Sequence, residues 1–132
     1  MGMSDYLENK DLDLWYGRSG PAMPTNTYVQ LHTADPGETG TSAVHASFAR
    51  VLVANNTTNW PAASGGVKQN GLKISFGTTA GLTGLANVTH VSIWDAASGG
   101  NCLDYGALDA SLNPSDRLEV AFQPGALKIS RT

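Results

Sequence analysis

Val88-Thr-His-Val-Ser-Ile-Trp-Asp-Ala-Ala-Ser-Gly-Gly-Asn-Cys-Leu-Asp-Tyr-Gly-Ala-Leu108 holds two runs rich in β-branched, aromatic and aliphatic residues, joined by the small polar set Ser98 to Asn101. Glycine and asparagine tolerate the positive φ angles of a tight reversal, and Val91, Ile93, Leu103 and Tyr105 fall on alternating positions that reach one core. The segment therefore predicts a β-hairpin. Trp94 shares a strand face with His90 and Ser92, opposite Val91 and Ile93, so that face meets either solvent or a second layer. Asp95, at the entry to the turn, is placed to bond loop amides.

The same alternation recurs on both sides of the hairpin. Thr27–His32 sets Val29 and Leu31 against Tyr28, Gln30 and His32, and Leu72–Phe76 sets Leu72, Ile74 and Phe76 against Lys73 and Ser75. Phe48–Ala54 is apolar more continuously, as an interior strand would be. Arg117–Phe122 sends Leu118, Val120 and Phe122 to one face, and Pro124-Gly125 before Ala126–Ser130 predicts a second hairpin. Loops rich in Gly, Thr, Asn and Pro separate these strands. Seven short strands without an internal repeat predict a mainly β chain, an antiparallel β-sandwich or jelly-roll-like barrel.

One helix precedes them. Ser4 followed by Asp5 and Glu8 is an N-cap with acidic residues at the positive helix end, and Gly17, Pro21 and Pro24 close the helix after about Tyr16. Leu7, Leu12, Leu14, Trp15 and Tyr16 spread over about half its circumference. A helix this short is marginal alone, so its apolar face is expected either to cap an open end of the core or to dock on a neighbouring subunit. Residues 1–26 thus read as helix and extended arm, and 27–132 as the β-sandwich domain. The candidate protein-interface residues are Tyr6, Leu7, Leu14, Trp15, Tyr16 and Trp60. Trp60, before Pro61 in a polar loop, is either an exposed platform for a sugar or a partner, or a ring folded back over the sandwich edge.

Composition narrows the function classes. A chain of 132 residues has room for one domain. Its net charge is −3, and its eight Lys and Arg form no stripe, so direct nucleic-acid binding is not expected. No apolar run approaches the roughly 18 residues of a membrane span, and the acidic start is unlike a secretory signal. Cys102 is the only cysteine, which leaves no intramolecular disulfide or thiolate cluster. His32, His45 and His90 lack metal-site spacing. No phosphate loop is present, Ser98 lies outside a nucleophile elbow, and no carboxylate pair stands out. No catalytic residue, cofactor or metal is expected, and the chain is not expected to be an enzyme.

The hairpin's Thr-His-Val-x-Ile-x-Asp-Ala-Ala-Ser-Gly-Gly-Asn pattern, the opening Met3–Lys10 with Trp15–Arg18, Thr27–Pro36, Phe48-Ala-Arg50 and Gly106-Ala-Leu108 together resemble a family of short bacteriophage virion proteins, variously labelled tail-fibre or capsid-decoration proteins. The chain departs from that pattern at Val44-His-Ala46, Cys102 and Asp104. The resemblance implies a structural protein of the virion, made in the host bacterial cytoplasm. The absence of a repetitive stem favours a capsid cement protein on the capsid exterior, with the major capsid protein and neighbouring copies of itself, as a dimer or trimer, for partners. The alternative is a tail, tail-fibre or baseplate component with an adhesion or glycan-binding role.

Overall fold

The computed structural model describes residues 1–17, 22–79 and 84–131. Along the chain run β1 (Gly2–Met3), α1 (Asp5–Trp15), β2 (Asn26–His32), β3 (Val51–Ala54), β4 (Val67–Gln69), β5 (Ile74–Thr78), β6 (Val88–Trp94), β7 (Cys102–Leu112), a 3-10 turn (Pro114–Asp116), β8 (Glu119–Phe122) and β9 (Lys128–Ser130). The architecture is mainly β and antiparallel. A five-stranded sheet has the order β1-β7-β6-β2-β3, and two ladders, β4-β9 and β5-β8, accompany it. Among the described residues these sheets do not close into a barrel.

The expected central hairpin forms, but Tyr105 pairs with Ser92 and so lies on the face away from Val91 and Ile93, because Asp104 and Gly106 take the positions opposite those two. β6 pairs with β7, setting Val91 opposite Gly106 and Ile93 opposite Asp104. Gly99 and Gly100 take φ of 59° and 71° in the reversal, and Asp95 Oδ1 accepts the Asn101 N–H at 2.7 Å. β2 lies on the other side of β6, with Val29 opposite Ile93 and Leu31 opposite Val91. Residues directly opposite in an antiparallel pair share a face, so one side of the sheet gathers Val29, Leu31, Val53, Val91 and Ile93. Ile74, Val120, Phe122 and Leu127 from the smaller ladders and their flanks join them in one buried apolar cluster.

The opposite face of the sheet is covered by the loop after β2. The loop is tied down where Thr33 N–H donates to Ala43 O and His45 N–H donates to Leu31 O, each at 2.9 Å. Gly40 packs so closely that a Cβ there would lie 2.6 Å from Cys102 Sγ and 2.8 Å from the Trp94 ring. Trp94 thus faces a second layer made of loop.

The hairpin expected between Arg117–Phe122 and Ala126–Ser130 does not form. β8 pairs with β5 and β9 pairs with β4. Asn70, 1% exposed, drives this separation by bonding the bend between them. Its Nδ2 donates to Leu72 O at 2.7 Å and Gln123 O at 3.0 Å, its Oδ1 accepts Leu127 N–H at 2.9 Å, and its carbonyl accepts Gly125 N–H at 2.8 Å. Leu118 is 83% exposed because it precedes β8, so it leaves the inward face occupied by Val120 and Phe122.

Two strands carry no periodic signal in the sequence. β4 falls just after the expected Asn55–Gly66 connection, and β1 is only two residues long. Gly2 and Met3 pair with Tyr105 and Asp104. Ser4, 1% exposed, sends its N–H to Leu103 O at 2.9 Å and its hydroxyl to Cys102 O. Residues 1–26 are therefore divided: the first four belong to the sheet of the body, and the helix stands on its surface.

Candidate assembly surface

α1 forms where the sequence places it. Ser4 Oγ accepts the Leu7 N–H at 3.2 Å, Asp5 and Glu8 occupy the first turn, and Tyr16 closes the last turn through a 2.9 Å bond to Leu12 O. None of its residues is buried. Tyr6 and Leu7 are half-buried beside β7, while Leu12, Leu14, Trp15 and Tyr16 are 56, 52, 73 and 78% exposed. Of the two expectations for this helix, capping the core is not what the structure shows, and the apolar side chains are left on the surface. Met23, 74% exposed, adds another apolar side chain in the segment leading to β2.

Trp60 is not on that surface. It is 5% exposed, and its indole N–H donates at 3.1 Å to Thr27 Oγ1, which itself donates to Val53 O. The local cause is Asn56, whose Oδ1 accepts the N–H groups of Thr58 and Asn59 while its carbonyl accepts that of Trp60. This compact turn throws the ring inward, so the reading of Trp60 as an exposed platform is corrected to a core residue. Its ring still lines a largely apolar cleft of about 340 Å³, with Ala63, Lys68, Ile93, Leu103 and Ile129. Asp104 and Arg131 also line this cleft, with Asp104 Oδ1 2.6 Å from Arg131 Nη1. That approach misses hydrogen-bond alignment, so the pair is a Coulombic contact and Oδ1 has no aligned donor. Burial pushes the Asp104 carboxyl up from its ordinary range, against the pull of Arg131.

Arg50 organises the hairpin tip in a way the sequence did not disclose. Its guanidinium carbon lies 3.7 Å from the Trp94 ring centroid, and Nη1 donates to Ala96 O at 2.9 Å and Gly99 O at 2.8 Å. Nε reaches Gln30 Oε1 at 3.3 Å. A basic residue closing the Phe48-Ala-Arg50 landmark is the only signal that could have pointed to this clamp.

His32 and Ser92 are in the geometry of a base and a hydroxyl nucleophile, Nε2 to Oγ 2.6 Å, but both residues have zero exposure. Ser92 Oγ also accepts the Trp94 Nε1–H at 2.7 Å. The pair is held inside the fold, where no substrate atom reaches it. Burial likewise pushes the Cys102 thiol up to about 12, which keeps it protonated at neutral pH and poorly nucleophilic. His45 is a structural tie: its Nε2–H donates to Ala86 O in the segment before β6, and its Nδ1 accepts the Ser47 N–H. The remaining distinctive surface is the exposed helix, together with the cleft beside Trp60.

A search among curated proteins gave no match. The family described as Podophage GP4 fiber I protein gp80 matches residues 2–130, which include the helix, the five-stranded sheet and both ladders. The chain therefore belongs to the Podophage GP4 fiber I protein gp80 family, and it is a phage structural protein.

Proposed function

We propose that this protein is a non-catalytic assembly module of a phage fibre, working by adhesion to other virion proteins through α1. The observation that carries this reading is the helix itself: a capped, ordered element on the body's surface presents Leu12, Leu14, Trp15 and Tyr16 with more than half of each exposed. Large apolar groups in that state mark association surfaces, and tryptophan and tyrosine are the side chains that most often dominate binding energy. The family description supports a fibre as the place where such adhesion is used.

A capsid cement role is the second reading, favoured by one observation: the described chain is a layered body without a repetitive stem. In that role, binding selectively to the expanded shell would stabilise it by mass action. Immunogold labelling of intact virions separates the two. Label confined to the appendages supports the fibre role, and label spread over the head supports the cement role. Labelling of neither, with the protein present only in lysates of infected cells, would remove both.

A further inference from the structure

The charges of this chain are sorted along its length. Asp5, Glu8, Asp11 and Asp13 lie in α1 against the single cation Lys10, and Asp35 and Glu38 follow in the loop after β2. Asp5, close to Glu38, pushes the Glu38 carboxyl pKa up, as crowded negative charge does. By contrast, no acidic residue occurs between Thr39 and Trp94 or after Glu119. The β4-β9 ladder therefore carries Lys68 and Lys128, with Arg131 following, and no carboxylate of its own.

That cationic ladder forms one wall of the apolar cleft beside Trp60. Lys68 and Arg131 line the cleft together with Trp60, Leu103 and Ile129; Arg131 is set against Asp104 inside it, which leaves Lys68 as the cation without a carboxylate beside it among the described residues, and the volume of about 340 Å³ is within the range of sites that take a large apolar group. One surface of the molecule is thus an acidic helix with exposed Leu12, Leu14 and Trp15. The cleft beside Trp60 is apolar, with Lys68 at its margin. The two match in polarity and are opposite in charge.

We propose that the α1 surface of one copy docks in the Trp60 cleft of a second copy of this chain, giving a head-to-tail interface. Trp15 and its apolar neighbours enter the cleft while the helix carboxylates meet Lys68 and the ladder cations. Because each copy uses two unlike patches, the contact is heterologous and extends to rings or open chains of copies instead of stopping at a symmetric pair. The inference deepens the assembly reading by naming the occupant of the helix, yet it can fail while the protein still proves to be a fibre component.

The test is complementation with the full chain, followed by sedimentation velocity in low and high salt. Trp15→Ala removes the arm's largest apolar group, and Ala63→Trp fills the cleft from an exposed position. Each variant alone should remain monomeric at concentrations where the unmodified protein forms larger species, with melting temperatures matching the parent. Their equimolar mixture should give a one-to-one dimer that stops there, and raising salt from 50 to 500 mM should weaken it at least tenfold. Lys68→Glu is the second cleft variant should Ala63→Trp fail to fold, and it should behave the same way. A monomeric parent at all concentrations, self-association that survives Trp15→Ala, or a mixture that stays monomeric would each overturn the proposal. Virion labelling then reports separately on the fibre reading.

Discussion

His32 Nε2 and Ser92 Oγ lie 2.6 Å apart across the β2-β6 pair, with both residues at zero exposure. The neighbouring bonds fix the protons. Nδ1 meets the Ser42 carbonyl at 2.9 Å, an acceptor only, so Nδ1 carries the hydrogen and Nε2 accepts from the Ser92 hydroxyl. Ser92 in turn accepts from the Trp94 indole, and the chain of bonds runs from the sheet to the loop that covers it. Every buried group in this path is satisfied only while the imidazole is neutral.

Acid should therefore loosen the fold through His32. Burial lowers its pKa in the folded protein, with His90 and Arg50 adding to the depression against the Ser42 carbonyl. Above the unfolded value of about 6.5 the contribution to stability is fully present, and it is lost as pH falls through that value toward the folded one. Chemical denaturation at pH 7.5 and 5.0 should show the parent losing stability on acidification, and His32→Gln should lose less. Asp104, whose folded pKa is raised, acts in the opposite sense, so the difference between parent and variant isolates the histidine. Equal losses in the two proteins would count against the neutral network.

Asn70 makes a second prediction because its amide replaces strand pairing at the bend between β8 and β9. Asn70→Ala strands Leu127 N–H and the Leu72 and Gln123 carbonyls, and leaving such buried groups without partners should lower stability by about 2–4 kcal/mol. Asn70→Asp keeps the acceptor for Leu127 but points a second oxygen at two carbonyls, so it should not recover the loss at neutral pH. Urea denaturation of both variants measures this.

Arg50 acts on the hairpin tip. Arg50→Ala removes the stack on Trp94 and both turn carbonyl bonds, and should cost about 1–2 kcal/mol with faster amide exchange from Ala96 to Asn101. Arg50→Lys keeps the charge but loses the planar stack on Trp94 and the Nε–H bond to Gln30, and should recover less than half of the loss. Exchange rates at the turn unchanged by either substitution would show that Gly99, Gly100 and Asp95 hold the tip unaided.

The elements legible in the sequence are those whose signal is local. The β6-β7 hairpin has its glycines and alternation in one continuous stretch, and α1 has its cap at Ser4 and its stop at Gly17. The partners of β8 and β9 depend on Asn70, some 50 residues away in sequence, whose side chain resembles any polar loop residue until the bend is built around it. Trp60 was ambiguous for the same reason: a tryptophan among asparagines and threonines looks exposed, and only the Asn56 turn and the waiting Thr27 hydroxyl send it inward. Helical spacing groups Leu14, Trp15 and Tyr16, all three exposed in the structure, but the cleft joins residues from β4, β6, β7 and β9 and has no linear signature.

The first four residues carry the last prediction. Gly2 and Met3 extend the sheet along β7, Met1 packs against Gly106, and Ser4 sends its amide and hydroxyl to consecutive carbonyls at the start of that strand. Removing Met1–Ser4 should therefore uncover backbone of β7, leave the Leu7 N–H without its cap and lower stability by about 1–3 kcal/mol. Trp15→Ser, at a site 73% exposed, should leave the melting temperature of the monomer within about 2 °C, since surface changes away from such features stay within about 0.5 kcal/mol. Calorimetry on the two variants separates the structural start of the chain from its adhesive helix. A truncated protein as stable as the parent would mean that β1 only rests on the sheet, and a destabilised Trp15→Ser would mean that the helix holds the body together after all.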